Sequence, residues 1–268
     1  MSSFLRSVGK VAGVVALVAT PFSPAIAAAA GIVSAVATTG SRILAKPPPA
    51  RGQVNNRIIG ANNPQPYLMG RAYTGGVQVH DVGYGGEVND VQNPYRLIAA
   101  VVSCCGPIKS IGPTLANFTT VSFSGGEATG YYNDYWWRDE QLGARPEAGA
   151  LTPNFSGAPN WGSSYKLSGY AAVLHNLKFS KKARRFAGGQ IPIIGQVPEG
   201  VMAYDARLDS SVPGGSGSVR ITDESTWPYS RNPANHAISY AYGRYVNGKK
   251  VFGVDWGITG IDLDNVIA

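Results

Sequence analysis

Acidic residues are absent from the first 80 positions of this chain, and the first of them is Asp81. Seven basic residues precede that point, and the other 16 Lys and Arg are matched by 16 Asp and Glu. The whole formal charge of +7 therefore belongs to the N-terminal 80 residues. Because charge asymmetry of this kind separates segments with different surroundings, we expect a basic N-terminal segment followed by a neutral body.

Cysteine and histidine are also scarce. Cys104 and Cys105 are the two cysteines, and an adjacent pair does not provide a disulfide framework. They end an apolar run that predicts a buried strand, which favours packed thiols in a reducing compartment over a redox or metal role. His80, His175 and His236 lie far apart without a second ligand at metal spacing, so each is expected to be structural.

The chain carries no recognisable catalytic motif. Gly215-Ser216-Gly217 is followed by serine instead of the glycine that a nucleophile elbow would need. No glycine-rich phosphate loop with a following lysine occurs, and no dinucleotide fingerprint follows a strand. Asp139 and Glu140 are adjacent, so they point to different faces, and no partner base is evident. The sequence gives no reason to predict an enzyme or a cofactor.

An apolar leader without any charged residue extends over Val11–Ser41. Pro21 and Pro24 interrupt it, because proline removes a backbone donor and clashes with the preceding helical turn. We therefore predict two short helices instead of one. One face of the second helix carries small residues four positions apart, at the spacing that allows close helix packing: Ala27, Gly31 and Ala35.

Three interpretations of this leader remain open. The first interpretation is a secretory signal peptide, with Arg6 and Lys10 as its basic region, an apolar stretch after them, and a cleavage site at Ala25-Ile26-Ala27. The apolar character continues beyond that site, which favours a retained segment that is active in a membrane or packed in a lumen. The third interpretation is a buried pair of amphipathic helices in a soluble core.

The body has the composition of a mainly β protein. With 34 Gly, 18 Pro and 14 Tyr but only 15% charged residues, short strands joined by turns are favoured over a helical bundle. Lys46-Pro47-Pro48-Pro49-Ala50 predicts a stiff, extended spacer. We expect a helical leader at 1–46, a Pro-rich linker at 47–56, and a β-rich α+β region with a few helices at 57–268.

Alternating and continuous apolar patterns locate individual elements. They predict strands over Tyr67–Tyr73, Gly76–Val82, Tyr95–Cys105, Phe118–Ser124, Gly169–Phe179 and Gly200–Ala206. The alternation is lost at about 125–166, which predicts an insertion or long loop. Asn232-Pro233 predicts the start of a helix that runs to about Tyr245, since asparagine caps and proline suits the first turn. A last helix from Asp262 would break off at the final residue, which suggests a clipped fragment.

Two groups of surface residues are candidates for binding. The aromatic cluster at 131–137 indicates a protein interface, a platform for sugars, or a small core of the insertion itself. The basic residues between 178 and 185 lack interleaved aromatics, so a solvated loop or an acidic partner is expected there before nucleic acid. The candidate interface residues are Tyr131, Tyr132, Tyr135, Trp136 and Trp137.

Several segments resemble one protein family in a fixed order. The first are Arg57-Ile58-Ile59-Gly60, Asn63–Arg71, Gly75-Gly76-Val77, His80-Asp81, Pro94–Val102 and Gly106-Pro107-Ile108. The second group consists of Gly169–Leu174, Pro192, Ile193, Gly200, Val201, Tyr204, Asp205 and Arg207. The third consists of Trp227, Ser230, Asn232-Pro233-Ala234 and Ile261–Asp264. Together they are similar to the hub portion of the tail tip attachment proteins, the lambda protein J-like family of long-tailed phages and gene transfer agents.

This resemblance implies a structural virion protein without catalysis. It implies a homotrimer at the tail tip, assembled in the host cytoplasm, that closes the tail tube and takes part in host attachment and DNA ejection. The implied partners are the distal tail protein, other tail-tip proteins and the tape measure protein, with DNA only in transit. It favours a retained leader that packs on the tail axis or enters the host membrane. The competing hypothesis is a secreted β-rich protein with a cleaved signal peptide and an aromatic surface for glycan or protein.

Overall fold

The computed structural model describes residues 63–180, 185–186 and 190–256. Strands make up 37% of the described residues and helices 10%, so the predicted mainly β class is confirmed. The predicted leader with Ala27, Gly31 and Ala35, the Pro-rich linker, and the helix from Asp262 lie outside the described residues.

Fifteen strands and one α-helix are named here among the described residues. The strands are β1 Val77–Tyr84, β2 Glu87–Val88, β3 Val91–Gln92, β4 Tyr95–Ser103, β5 Ile108–Ser110, β6 Thr114–Ala116, β7 Thr119–Val121, β8 Phe123–Ser124, β9 Glu127–Ala128, β10 Trp136–Leu142, β11 Ala171–Lys178, β12 Ile194–Gln196, β13 Glu199–Val201, β14 Arg244–Val246 and β15 Lys249–Phe252; the helix is α1 Pro233–Tyr242. Three short 3-10 helices span Gly130–Tyr132, Ala206–Leu208 and Glu224–Thr226.

A six-stranded antiparallel sheet organises the molecule, in the order β1-β4-β11-β10-β9-β8. Its central strands β4 and β11 are mostly apolar, and β4 is buried from Leu97 to Ser103. Successive side chains of a strand point to opposite faces, so both faces of this pair must be covered. Small sheets β12-β6-β7 and β13-β5 contribute residues to the clusters that cover it.

The opposite cover comes from the long segment between β10 and β11. Leu151 is buried there with β4 and β11 residues, and Phe155, Trp161 and Tyr170 pack against the same cluster. The segment has no described strand of its own from 143 to 170. It therefore stays in place mainly through apolar side chains and individual hydrogen bonds.

The helix α1 begins where the sequence predicts. The side-chain oxygen of Asn232 accepts a hydrogen bond from the amide of Ala234 at 3.0 Å, and Pro233 occupies the first turn. The helix ends at Tyr242, three residues before the predicted end, because Gly243 adopts a φ of +100° and stops the repeat.

Three predicted strands differ from the structure. Residues Tyr67–Tyr73 form an extended segment with one isolated bridge, from Arg71, in place of a strand. The segment predicted as one strand at Phe118–Ser124 is divided into β7 and β8, and Asn117 and Phe118 form a two-residue turn with positive φ between β6 and β7. In the third, β13 ends at Val201 and a 3-10 helix follows at Ala206.

The predicted loop at about 125–166 also needs correction. It contributes β9 and the seven-residue strand β10, which pairs with β11 from Trp136 to Leu142. The pattern of β10 is obscured because charged and aromatic residues share its half-buried faces. Only the part after β10 matches the expected loop.

Gly112, between β5 and β6, occupies a position that we expect only glycine to tolerate. Its φ is +68°, and a Cβ atom would lie 2.2 Å from the carbonyl oxygen of Val197. Gly86 has a similar φ of +64° but open space around it. A substitution at Gly86 would therefore introduce backbone strain alone, whereas one at Gly112 would add a steric overlap.

We predict that Gly112→Ala lowers the free energy of unfolding by at least about 3 kcal/mol, because strain and backbone overlap add. Gly86→Ala, with strain alone, should cost about 1 kcal/mol. Urea unfolding of both variants measures the difference. Equal losses would show that the contact with Val197 does not constrain the fold.

Candidate functional site

The aromatic cluster at 131–137 is divided between the core and the surface. Trp136, the first residue of β10, has 0% of its surface exposed and packs in a cluster with Ile98, Leu177 and Phe186. Its ring is enclosed within its own chain, so its prediction as an interface residue is wrong. The Trp136 ring packs on the hydrophobic surface of the central sheet. It therefore does not belong to a separate core of the predicted loop.

His175 fixes the position of the Trp136 ring. The indole N–H donates to Nδ1 of His175 at 3.1 Å, and Nε2 of the same ring lies 2.8 Å from the side-chain amide of Gln196. Burial, followed by the positive charge of Arg138, lowers the pKa of the His175 imidazolium to about 3. Because Nδ1 accepts the indole proton, the neutral ring carries its own proton on Nε2, next to the side-chain amide of Gln196. This makes His175 a structural residue, as its sequence context predicts.

Trp137 points away from that core and is half-buried. It contacts Phe155 edge to face, with 4.9 Å between the ring centroids. It lines a cavity of about 470 Å³ together with polar side chains, namely Arg138, Asp139, Thr152, Asn154 and Asn176. An aromatic ring beside hydrogen-bonding groups is a suitable wall for a polar ligand.

The outer part of the cluster, which we call the Tyr131 surface, consists of the exposed Tyr131 and the half-buried Tyr135 and Arg185. The Tyr131 side chain is 57% exposed, in the 3-10 helix that leads from β9 to β10. The Arg185 guanidinium lies 5.0 Å from the ring centre of Tyr131 and 5.4 Å from that of Tyr135. Its Nε donates to the Tyr131 carbonyl oxygen at 2.8 Å. These contacts hold a cation against two aromatic faces.

Tyr132 connects the exposed and buried parts. Its half-buried ring meets Trp136 at 5.1 Å and Phe186 at 5.7 Å between centroids. A second cavity of about 470 Å³ adjoins it and is lined by residues of the β6–β7 turn and the 3-10 helix, including Asn117, Thr119, Thr129 and Tyr131. The Tyr131 surface therefore borders a concave region.

Sequence reasoning missed the part played by Arg185. This residue stands 54 positions after Tyr131 and was expected within a basic run without interleaved aromatics. The fold places it over tyrosine rings instead. Of the basic run, Lys181, Lys182 and Arg184 lie outside the described residues, while Lys178 ends β11.

Comparison with known proteins adds no assignment, because no family model and no curated protein matches this chain. Within the described residues, no group of three or more His, Cys, Asp and Glu side chains could hold a metal ion. Across the same residues, the structure contains no helix with the length and hydropathy needed to cross a membrane.

The buried imidazole predicts acid sensitivity. Its folded pKa of about 3 lies below the ordinary value of 6.5, so the unfolded chain binds a proton first as pH falls. Above pH 6.5, the His175 imidazole should not reduce the free energy of unfolding of the wild type. Below pH 6.5, protonation of His175 in the unfolded chain should lower it by about 1.4 kcal/mol per pH unit. His175→Asn should be less stable but should show a smaller slope between pH 6.5 and 5. Parallel slopes in urea unfolding would contradict this account.

Proposed function

We propose that this chain is a structural subunit of a phage tail tip, which forms the trimeric hub that closes the tail tube and takes part in host attachment and DNA ejection. One observation supports the proposal: among the described residues, the segments that resemble the hub family are in mutual contact in the folded unit. They form one connected frame.

The first matched segment joins β4 to β13. The amide of Cys104, just after β4, donates to the Pro66 carbonyl oxygen at 2.7 Å, and the Leu68 amide donates to Oγ of Ser103 at 3.1 Å. On the other side, the Val201 amide donates to the Leu68 carbonyl oxygen at 2.9 Å. An extended segment between two elements is thus fixed by backbone bonds on both sides.

Arg244, which lies outside the matched residues, connects Trp227 of the third matched segment to the same place. Its Nε donates to the Tyr67 hydroxyl at 3.0 Å, and its guanidinium lies 4.6 Å from the Trp227 ring centre. Glu224 accepts from Arg244 at 3.1 Å and from Arg145 at 3.0 Å. Arg244 is almost fully buried, so these partners satisfy a charge that would be costly to leave unpaired.

A frame of this kind supports a role as a building block. Subunits of a closed ring use two different surfaces that must keep a fixed relative position. The Tyr131 surface supplies residue types that are enriched at protein interfaces, namely tyrosine and arginine. We infer that this surface contacts a neighbouring subunit or another tail-tip protein, such as the distal tail protein or the tape measure protein.

The leader extends this proposal to the tail axis. Three copies of its predicted second helix would pack through Ala27, Gly31 and Ala35, because small side chains allow backbones to approach closely. Their apolar faces could later enter the host envelope. This step rests on the sequence of the leader alone.

One observation favours the competing function of a secreted binding protein. The cavity beside Trp137 combines an aromatic wall with Asp139, Asn154 and Asn176, a combination that suits a glycan. A secreted protein would lose its leader near Ala28, whereas a hub subunit made in the cytoplasm would keep it.

The native particle tests these alternatives in one preparation. We predict threefold symmetry at the tail tip by electron microscopy and an intact mass that includes the leader from Met1 or Ser2. The symmetry follows from the resemblance to trimeric hubs, and the intact leader follows from assembly without secretion. A monomer in the mature particle, or a chain that starts near Ala28, would contradict the hub.

The Tyr131 surface can be tested by substitution. Tyr131→Ala combined with Arg185→Ala should leave the free energy of unfolding within about 1 kcal/mol of wild type, because the affected groups are at the surface. The same variant should reduce the yield of assembled tails at least about tenfold, as expected for anchor residues. Tyr165→Ala removes another exposed tyrosine and serves as the matched control. Normal assembly of the double variant would exclude this surface as an interface.

A further inference from the structure

The two cysteines form a close pair at the end of β4. Both are free, and their Sγ atoms lie 3.2 Å apart. Cys104 is buried, whereas Cys105 is half-buried and has a φ of +64°. The Cys104 thiol points to the Gln65 carbonyl oxygen at 3.9 Å, and the Cys105 thiol to the Val251 carbonyl oxygen at 3.8 Å. The pair therefore lies between the first matched segment and β15.

The surroundings of the two sulfurs differ. The hydrogen bond from Cys104, against the effect of burial, lowers the pKa of the Cys105 thiol to about 7, with help from the positive charges of Arg145 and Arg244. Glu224 acts in the opposite sense, and the Tyr67 phenol is a further neighbour. The same hydrogen bond, together with burial, raises the pKa of the Cys104 thiol. Near neutral pH, Cys105 is thus the sulfur that carries thiolate, and Cys104 keeps its proton.

We propose that Cys104 and Cys105 are a redox modification site, at which a hydroperoxide converts the adjacent thiols into an intrachain disulfide. The geometry carries this inference, because the sulfurs are already in contact and a third thiol is absent from the sequence. The inference goes beyond the proposed function and does not depend on it. It also replaces the expectation that these thiols are merely packed.

The reaction balances with one equivalent of peroxide. The Cys105 thiolate attacks one peroxide oxygen and breaks the O–O bond, which yields a sulfenic acid and releases hydroxide, or alkoxide from an alkyl hydroperoxide. The Cys104 sulfur then attacks the Cys105 sulfur and displaces the hydroxyl group. The Cys104 proton leaves with that group as water. Two thiols lose two electrons in total, and the peroxide is reduced.

The product should be easily reduced. Adjacent Cα atoms are about 3.8 Å apart across a trans peptide, which is shorter than the usual separation in disulfides. Strained disulfides are the labile and regulatory ones, so a dithiol reagent should reduce the Cys104–Cys105 disulfide. Oxidation also removes the last S–H hydrogen of the pair, so neither sulfur can donate to the Gln65 or the Val251 carbonyl oxygen. The expected consequence is a looser attachment of these two segments.

The test uses the purified full-length chain, reduced and then treated with hydrogen peroxide. After alkylation and trypsin digestion, the peptide Leu97–Lys109 contains both cysteines and no Met, Trp or Tyr. We expect this peptide to be unalkylated and about 2 Da lighter than its dithiol form, and to regain two alkylated thiols after dithiothreitol. The rate should rise from pH 6 to pH 8, because the thiolate fraction of Cys105 increases.

Two serine variants identify the roles of the sulfurs. Cys104→Ser should still react with peroxide but should stop at sulfenic acid, with a gain of about 16 Da. Cys105→Ser should react at least about tenfold more slowly at pH 7, because its remaining thiol is buried and protonated. Independent oxidation of both cysteines to sulfinic acids, a disulfide between two chains, or two alkylatable thiols after peroxide treatment would each overturn the proposal.

Discussion

The pairing of β4 with β11 imposes the main constraint on this protein. Both strands are buried along nearly their whole length, so neither face of the sheet can be left to water. One face is covered by the loop that carries Leu151 and Phe155, and the other by β5, β6, β12 and β13 with their connections. Since a buried apolar sheet stabilises the fold only when it is covered, these connecting segments must be amphipathic and must follow defined paths.

Polar side chains inside this core determine how its parts fit together. Asn176 on β11 donates to the Arg96 carbonyl oxygen at 3.1 Å and accepts from the Phe155 amide at 3.1 Å. It therefore links the sheet to the covering loop, while His175 links β10 to β12 through Trp136 and Gln196. A buried polar group costs free energy unless it is bonded, so a shifted strand or loop would leave these groups unsatisfied. The network thus favours one register.

The sequence predicted those elements whose pattern is local. The apolar runs of β4 and β11 and the cap at Asn232 are signals within a few residues, and all three agree with the structure. β10 was missed because its faces are half-buried by partners that are distant in sequence, so alternation between polar and apolar residues is weak. The arrangement of the candidate site could not be predicted for the same reason. No local signal shows that Trp136 is buried in the core or that Arg185 contacts Tyr131.

The division of the aromatic cluster has a consequence for recognition. Because Trp136 is held in the core, the short 3-10 helix before it presents Tyr131 from a fixed base, and Arg185 further restrains that ring. Binding to a restrained surface sacrifices less side-chain entropy than binding to a flexible one. The guanidinium also adds positive charge to an aromatic face, which favours a partner with acidic or carbonyl-rich groups. A protein neighbour in the proposed ring would supply such groups at a constant position, so the rigidity of this surface is better suited to assembly than to transient contact.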